Sequence, residues 1–356
     1  MALTTAVELC GRRDIETIMN ESNFIHLDAR AIPGLVFRPF LGAADYPCLV
    51  AVREGTRAYD QLAPASPQDA IPTVDELAQR LTDQDIDGPA ILVVEINGTV
   101  IGYNQIVHAP GEGGSDVYFH RGWLLPAWRG RGIGRRMLRS AEGRLRTMAR
   151  AHPSSCPAVF ATTVSSTERE AVVLVQNEGY RPVWQIRDMI ADTTTPRSER
   201  PLPHELSVRA LRPEHYHALF LAARDAWSAL PFATDDEHGY LGDTVRLPGF
   251  DPTLCQVAWT GEDVVGLVLT QRNKGEGFIL DVAVREAWQR HGIARALLLQ
   301  CLNGLAAHGM TIARLYVDAE SVGAQQLYDS IGFQSTKEHR RYQKPLVLPV
   351  QDAAIP

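Results

Sequence analysis

The sequence predicts an α/β protein of the α+β type, built from two tandem copies of one unit, each a mixed, mostly antiparallel sheet flanked by helices. Three observations predict this fold. A loop of one pattern occurs twice, the same order of strands and helices surrounds it both times, and a polar, proline-rich segment separates the copies. The chain of 356 residues is also long enough for two domains, since about 100–200 residues per domain is usual.

The repeated loop has small residues at fixed places. It is Arg129-Gly130-Arg131-Gly132-Ile133-Gly134 in the first copy and Gln289-Arg290-His291-Gly292-Ile293-Ala294 in the second. Each loop follows an apolar, strand-like run and opens an amphipathic helix, whose first turn has backbone N–H groups without intrahelical partners. Those donors and the helix dipole attract an anion such as a pyrophosphate, and small residues let phosphates approach the backbone. We call the two loops the first and second phosphate cradles.

The elements around the cradles repeat in order. Each half begins with a strand and a helix and continues with a hairpin, which in the first half turns at Asn97-Gly98, a strong hairpin signal. One more strand leads into the cradle. Its helix is followed by a strand, a helix and a Gly-aromatic step into a last strand, at Gly179-Tyr180 in the first half and Gly332-Phe333 in the second. The predicted strands are 35–38, 91–96, 99–106, 116–125 and 158–164 in the first half, and 206–209, 256–260, 264–270, 277–284 and 312–317 in the second.

The order of these elements predicts the domain boundaries. We expect an N-terminal extension at 1–33, a first domain at 34–190, a linker at 191–204, a second domain at 205–348 and a tail at 349–356. The linker has no periodicity and is rich in proline and polar residues, as connecting segments are.

Composition excludes several classes of protein. The net charge of −7 argues against nucleic acid as a partner, since such proteins usually present a basic face. The five cysteines are odd in number and widely spaced, without metal-ligand spacing, so we expect a reduced, cytoplasmic protein that holds no metal. No apolar run approaches the roughly 18 residues that span a bilayer and no signal peptide is evident, so we expect no membrane partner. The oligomeric state is open between monomer and homodimer.

With these motifs the chain resembles the GNAT superfamily of acyl-CoA N-acyltransferases. The signature of that family is the order β-α-α-β-β-β-α-β-α-β, with R/Q-x-x-G-x-G/A after the fourth strand. The resemblance covers about residues 34–190 and 205–347, and two such loops, each followed by a Gly-aromatic step at Gly179 or Gly332, are far more specific than one. Among tandem members the chain is most similar to mycothiol synthase and its relatives, through residues 315–320 and 327–333.

The resemblance implies acetyl-CoA as cosubstrate, an amine as acceptor, and direct attack of the amine on the thioester. This chemistry needs a positioned pyrophosphate, an oxyanion donor, a base and an acid, which the resemblance places in the C-terminal half. The second cradle would hold the pyrophosphate, and the backbones of Val282, Ala283 and Val284 would contact pantetheine and the oxyanion. Tyr328 would be the acid, with a tyrosine packed on a helix face as the alternative. Ser321 stands where many relatives have a coenzyme-contacting Asn, and a helix N-cap is its alternative.

The general base is the least determined part of the site. The resemblance places a Glu where this chain has Phe278, which cannot accept a proton. Glu276 lies two residues earlier, on the same strand face by period-two counting, and Asp281 lies on the opposite face. We expect Glu276 to be the base before Asp281, although a solvated charge at the end of a hairpin also explains Glu276. A water chain, or an amine of low pKa, needs no dedicated base.

The N-terminal half retains a cradle without the acid. Leu124 and the first cradle, Arg129 to Gly134, could still contact coenzyme A, but Val175 takes the place of Tyr328 and Glu168 that of Ser321. We therefore expect this half to be catalytically silent. His120 and Asp116 are weaker candidates for a base, and a histidine satisfied by local hydrogen bonds is the better interpretation of His120.

The acceptor pocket would lie after the first strand and helix of the C-terminal half. The segment is rich in aromatic and acidic residues and suits a cationic amine, although a solvated acidic loop explains it equally. Its members are Trp227, Phe232, Asp235, Asp236, Glu237, His238 and Tyr240.

Three other functions remain to be weighed. The chain could be a non-catalytic acyl-CoA sensor or scaffold, which Phe278 and Ser321 favour, or it could acetylate a cysteinyl amine as mycothiol synthase does. A dinucleotide-dependent enzyme would need G-x-G-x-x-G directly after the first strand, and neither half has it.

Overall fold

The computed structural model describes residues 32–83, 91–110, 115–152, 154, 156–228, 235–247 and 249–348. The predicted tail and all but two residues of the predicted extension lie outside these ranges. The chain from Gly34 onward forms one compact unit, which contains both repeats.

Within the described ranges, each half has six strands and four α-helices. The N-terminal half consists of β1 (Leu35–Pro39), α1 (Tyr46–Thr56), α2 (Val74–Asp83), β2 (Ile91–Ile96), β3 (Thr99–Pro110), β4 (Asp116–Leu124), α3 (Ile133–Ala151), β5 (Ala158–Ser165), α4 (Arg169–Asn177) and β6 (Arg181–Asp192). The C-terminal half consists of β7 (Ser207–Val208), α5 (Tyr216–Trp227), α6 (Glu237–Gly242), β8 (Gln256–Thr260), β9 (Asp263–Asn273), β10 (Glu276–Val284), α7 (Ile293–Ala307), β11 (Ile312–Asp318), α8 (Val322–Asp329) and β12 (Gln334–Pro345). The repeated order predicted from the sequence is confirmed.

All twelve strands form one sheet, in the order β1-β2-β3-β4-β5-β12-β6-β11-β10-β9-β8-β7. The pairs β4/β5 and β10/β11 are parallel and the other neighbours are antiparallel. The last strand of each half therefore lies against the other half: β12 pairs with β5 and β6 pairs with β11. No residue pattern indicates this exchange, because both strands lie where the last strand of their own half is expected.

The exchange joins the two hydrophobic cores. Tyr342 of β12 is fully buried among Leu145 and Phe160 of the N-terminal half. In return, Met189 of β6 is buried in the core around α7, beside Leu315. Burying a large apolar side chain contributes about 1.5–3 kcal/mol, so each half obtains core stability from the other.

Helices cover both faces of the sheet. The apolar residues of α3 recur at helical spacing, at Ile133, Met137, Ala141 and Leu145, and that stripe packs on one face, whereas α1 and α2 pack on the other. In the C-terminal half α7 and α5 take the corresponding places. No residue pattern in the sequence predicts the short helices α2 and α6.

A buried polar network lies where the halves meet. Lys337 of β12 forms an ion pair with Asp69 at 2.6 Å, and Arg314 of β11 contacts Asp188 of β6 at 2.6 Å. The loop between α1 and α2 also lies against the C-terminal half, where its Gln68 N–H donates to the Tyr316 hydroxyl at 2.9 Å. Removing one partner of a buried ion pair costs about 3–5 kcal/mol, so these pairs fix how the halves meet.

The predicted linker is bound rather than free. Strand β6 ends at Asp192, so the first two predicted linker residues belong to the sheet. Arg197 then exchanges hydrogen bonds with Asn303 of α7 and donates to the Ile331 carbonyl. The remaining domain boundaries stay predictions.

No helix within the described ranges has the length and apolar character required to cross a membrane. The four cysteines of those ranges, Cys48, Cys156, Cys255 and Cys301, are free thiols, and the side chains described there include no group of metal-ligand type large enough to hold an ion.

The exchange predicts that the halves stay together when the connection between them is cut. A protease site inserted after the exposed His204 should, once cleaved, leave two fragments that co-elute in size-exclusion chromatography, because β6 and β12 remain paired across the halves. The uncut protein carrying the same insertion is the control. Elution as two separate folded fragments without denaturant would contradict the exchange.

Candidate active site

The two cradles have the same backbone form. The second and fourth loop residues are left-handed in both, with φ of 72° at Gly130 and 80° at Gly132, and of 67° at Arg290 and 80° at Gly292. Glycine adopts this conformation freely, whereas it costs Arg290 about 1–2 kcal/mol. Such a cost is tolerated where the backbone shape is needed.

Both cradles leave backbone donors without helical partners. Gly132 and Gly292 are the N-caps of α3 and α7 and provide no capping side chain. The first intrahelical bonds come from the N–H groups of Arg136 and Ala296, at 3.2 Å and 3.0 Å. The three preceding N–H groups of each helix are therefore available to an anion.

The side chain of the first residue of each cradle forms a hydrogen bond with the end of the preceding strand. Arg129 donates to the Leu124 carbonyl at 3.0 Å, and Gln289 donates to the Val284 carbonyl at 3.2 Å. Arg129 is also held by the Asp60 carboxylate, with two bonds of 2.6 Å. The first cradle thus has an acidic neighbour that neutralises its cation.

The second cradle has a basic neighbour instead. The Arg200 guanidinium, from the predicted linker, lies beside Gly292, with its Nε 3.6 Å from where a Cβ would stand. No hydrogen bond or ion pair joins Arg200 to another side chain in the described part of the protein. The surroundings of the two cradles therefore differ in charge, although their backbones agree.

Each cradle lies at the mouth of a cleft in the sheet. Strands β4 and β5 pair only as far as Phe119 and Ala161, and β10 and β11 only as far as Ile279 and Leu315. The strand ends beyond these pairs are not bonded to each other, which leaves room for an extended ligand between them. The predicted coenzyme-contacting residues Val282, Ala283 and Val284 follow this last pair on β10. Ala283 is buried in the core around α5, and Val282 and Val284 are partly buried against the core around α7.

A β-bulge in β10 overturns the expected direction of Asp281. Ile279 pairs with Thr270 of β9 and Asp281 pairs with the adjacent Leu269, so Leu280 is the additional residue of the bulge. The additional residue reverses the alternation of side chains, so Asp281 lies on the α5 and α6 face, the same face as Glu276. The prediction that these carboxylates lie on opposite faces was wrong because period-two counting does not hold across a bulge.

Asp281 is a buried carboxylate with a free oxygen. Its side chain accepts a hydrogen bond from the Tyr240 hydroxyl at 2.9 Å, while its other oxygen has no partner in the described structure. Burial raises the pKa of Asp281 to about 6, and the bond from Tyr240 opposes this rise. A carboxylate with this pKa can accept a proton near neutral pH.

Glu276 has a different environment. Its carboxylate binds the Arg314 guanidinium at 2.9 Å, and Arg314 also contacts Asp188. A carboxylate that holds a buried arginine is poorly placed to accept a proton from a substrate. Phe278 packs edge-on against Tyr316, with ring centroids 5.2 Å apart.

Tyr328 lies on the opposite face of the sheet from Asp281, in the core around α7. Its ring packs edge-on against Phe333, and its hydroxyl hydrogen-bonds to no other described residue. Burial raises the pKa of Tyr328, and the nearby Asp281 raises it further. Ser321 is the N-cap of α8, but its hydroxyl makes no capping bond and stays available to a ligand.

The N-terminal cleft has the same backbone and different side chains. Val175 is buried in α4 where α8 has Tyr328. Glu168 stands at the N-cap position of α4 as Ser321 does in α8, and neither side chain makes a capping bond. His120 is buried and bonded to the Tyr180 hydroxyl at 2.8 Å, and burial lowers its pKa to about 4. The expectation that local bonds satisfy His120 agrees with this contact.

The acidic side chains of the predicted acceptor segment mostly form hydrogen bonds or ion pairs with neighbouring residues. Asp235 is 3.6 Å from Arg224 and Glu237 is 3.0 Å from His217, while Asp236 caps α6. Among the described members of this set, only Tyr240 forms a hydrogen bond with Asp281. Trp227 packs against the core around α5, and Phe232 lies outside the described residues.

The family comparison agrees with this geometry. The model of the acetyltransferase (GNAT) family matches residues 56–172 and 212–333. The chain belongs to the GNAT acetyltransferase family. It therefore contains two GNAT repeats and is an N-acetyltransferase, and the alternative of a non-catalytic binding protein is set aside.

Two curated relatives of this chain are named mycothiol acetyltransferase. A mycothiol acetyltransferase of Streptomyces scabiei is 29% identical over 312 residues, which span 83% of this chain and 90% of the relative. Another, of Streptomyces bingchenggensis, is 31% identical over 262 residues, or 68% of this chain and 77% of the relative.

Solved structures share the fold. A GCN5-related N-acetyltransferase from Sphaerobacter thermophilus superposes with a TM-score of 0.71 at 21% identity, over 90% of this chain and 98% of that one. A tandem GNAT protein from the clavulanic acid biosynthesis pathway gives 0.61 at 15% identity, over 88% and 99%. At these identities the likeness supports the fold alone.

Sequence reasoning missed three features near the site. The bulge leaves no clear residue signature. From the sequence, Arg200 is one polar residue of the linker, with nothing to indicate that it lies beside the second cradle. Arg121 could have been found by comparing the halves, because it precedes the first cradle by eight residues, as Asp281 precedes the second.

The burial of Asp281 predicts that it destabilises the protein once ionised. Its pKa is about 6 in the folded chain and near 3.8 when unfolded, so the folded state loses stability as pH rises through this window. One pKa unit is about 1.4 kcal/mol, and Asp281→Asn should therefore stabilise the protein by on the order of 2–3 kcal/mol at pH 8 and by little near pH 4. Thermal unfolding at both pH values measures this. The exposed Asp235→Asn is the control, and an equal effect of Asp281→Asn at both pH values would refute the assignment.

Proposed function

We propose that the C-terminal half transfers an acetyl group from acetyl-CoA to a primary amine by direct attack, and that the N-terminal half is catalytically silent. One observation carries this proposal. The C-terminal cleft has a buried carboxylate, Asp281, on one face and an unbonded tyrosine hydroxyl, Tyr328, on the other. At the same two positions the N-terminal cleft has Arg121 and Val175, which can neither accept nor donate the required protons.

The residues of the second cradle fit a coenzyme pyrophosphate. The left-handed loop leaves three N–H groups of α7 for phosphate oxygens, and no side chain at Gly292 obstructs their approach. Arg200 adds a cation beside them. The unpaired ends of β10 and β11 leave room for pantetheine, and Ser321 offers a hydroxyl at the start of α8.

The proposed chemistry uses both faces of the cleft. Bound acetyl-CoA supplies an activated acyl group. The amine approaches from the α5 and α6 face, its nitrogen forms the bond to the carbonyl carbon, and Asp281 accepts its proton directly or through water. As the carbon–sulfur bond breaks, Tyr328 donates a proton to the thiolate from the opposite face. A backbone N–H of residues 282–284 stabilises the oxyanion.

The sequence favours Glu276 over Asp281 as the base, whereas the contacts of the two carboxylates favour Asp281. Glu276 remains a candidate, but its carboxylate is bonded to Arg314. Asp281 has one oxygen without a partner and the pKa that a base at neutral pH requires. Tyr240 orients its other oxygen.

A second candidate is acetylation of a cysteinyl amine, which the resemblance to mycothiol synthase implies, and two curated relatives are named mycothiol acetyltransferase. We propose testing this acceptor first, with simple alkyl amines of equal size for comparison. We expect the reaction to occur in the cytoplasm.

Replacing the acid and the base should separate their roles. Tyr328→Phe and Asp281→Asn should each lower kcat by about 10²-fold or more, measured by release of the coenzyme A thiol. For the wild type, kcat/KM should rise with pH through about 6, and this step should disappear in Asp281→Asn. Glu276→Gln is the control with little effect on the pH profile. Unchanged turnover in either of the first two variants would remove that residue from the mechanism.

Calorimetric titration with acetyl-CoA tests which cradle binds. Gly292→Glu should abolish binding that supports turnover, because a carboxylate at the helix start repels the pyrophosphate. Gly132→Glu is a matched control, since both glycines have φ of 80°, and should leave turnover largely intact. Lost turnover in a folded Gly132→Glu protein would contradict a silent N-terminal half.

A further inference from the structure

The N-terminal cleft contains two arginines that form no direct ion pair with a described residue. Arg121 of β4 and Arg53 of α1 lie over the same indole, with guanidinium carbons 5.4 Å and 4.6 Å from the centre of the Trp123 ring. Neither forms an ion pair with any carboxylate in the described ranges of the chain. Two like charges side by side repel each other, so their proximity calls for an anion.

Both arginines are at least partly buried. The Arg53 side chain donates to the carbonyls of Asp69 and Ala70, but its buried Nε has no partner. Burial lowers the pKa of Arg53, and neighbouring Arg121 lowers it further. A buried cation without a counter-ion is costly, and a bound anion would remove that cost.

A third unpartnered group faces the same side of the sheet. His339 of β12 is only 1% exposed, and neither ring nitrogen has a hydrogen-bond partner in the described structure. In the sheet its backbone lies opposite Ser165 of β5, beside the open end of the cleft. Strand exchange thus brings a C-terminal residue into the N-terminal cleft, where an imidazole N–H could donate to a ligand.

The charged groups around these side chains limit the charge that a bound ligand can carry. Lys337 is paired with Asp69, and burial lowers the pKa of His339 to about 4, so that it is neutral near pH 7. Glu168 remains as one nearby carboxylate, which accepts the Ser165 N–H at 2.8 Å. Burial raises the pKa of Glu168, while the Arg121 charge and the bond from Ser165 lower it and favour the ionised form. Two arginines against one glutamate leave a net charge that suits a monoanion better than a dianion.

We propose that the N-terminal cleft is a binding site for a small monocarboxylate, held by the guanidinium groups of Arg121 and Arg53. Arg121 stands where the C-terminal half has Asp281. The same place in the fold therefore carries opposite charges, so one half suits an amine and the other an acid. This inference does not depend on acetyl transfer.

Calorimetric titration of the full chain at fixed ionic strength tests the proposal, with benzoate and butyrate as monocarboxylate probes and succinate and inorganic phosphate as dianions. We expect one saturable site for a monocarboxylate, weakened at least tenfold by Arg121→Met and less by Arg121→Lys, since lysine retains the charge. Arg209→Met is a matched control, because Arg209 lies 5.6 Å from the Trp259 ring in the C-terminal half.

The other outcomes overturn the proposal. Binding that persists in Arg121→Met, or absence of saturation with every probe, would refute the site, and tighter binding of succinate or phosphate would refute its monocarboxylate specificity. If circular dichroism shows that Arg121→Met does not fold, Arg121→Gln replaces it with the same expected loss. Turnover in the C-terminal half should be unchanged in these variants, so this result is distinguishable from a failure of the proposed acetyl transfer.

Discussion

The exchange of β6 and β12 is the constraint on which the rest of the structure depends. Each strand completes the sheet of the other half, and together they form the central ladder of a twelve-stranded sheet. Tyr342 and Met189 carry core packing across this ladder, and the ion pairs of Lys337 and Arg314 fix its polar side. Neither half therefore has a finished core of its own, and the geometry of each cleft depends partly on residues of the other.

Two clefts of equal backbone form illustrate how function depends on side chains. Both have a left-handed loop, a helix start with free donors and a pair of parallel strands that diverge. The differences are a few residues at equivalent places: Asp281 against Arg121, and Tyr328 against Val175. Arg129 is neutralised by Asp60, whereas Arg200 stands beside the second cradle. The fold supplies a ligand slot twice, and local charge decides what each slot can hold or convert.

If Asp281 is the base, as we propose, stability and activity are opposed at this residue. A carboxylate buried against Tyr240 resists ionisation, and the same resistance brings its pKa close to neutrality. A more exposed carboxylate would cost less folding free energy but would be a weaker base. The surrounding core bears this cost, since the residues that bury Asp281 belong to packed elements on either side of the bulge.

The sequence by itself determined the repeated fold, both cradles and the residues Tyr328, Ser321 and Val175 at their matching places. These follow from local rules, since glycines, hairpin turns and helix starts depend on neighbours along the chain. Only the tertiary structure decided the strand exchange, the partner of Glu276 and the face of Asp281. Those depend on a bulge and on contacts between residues far apart in sequence, such as Arg314 with Glu276 and His339 with the cleft of the other half, which no local pattern encodes.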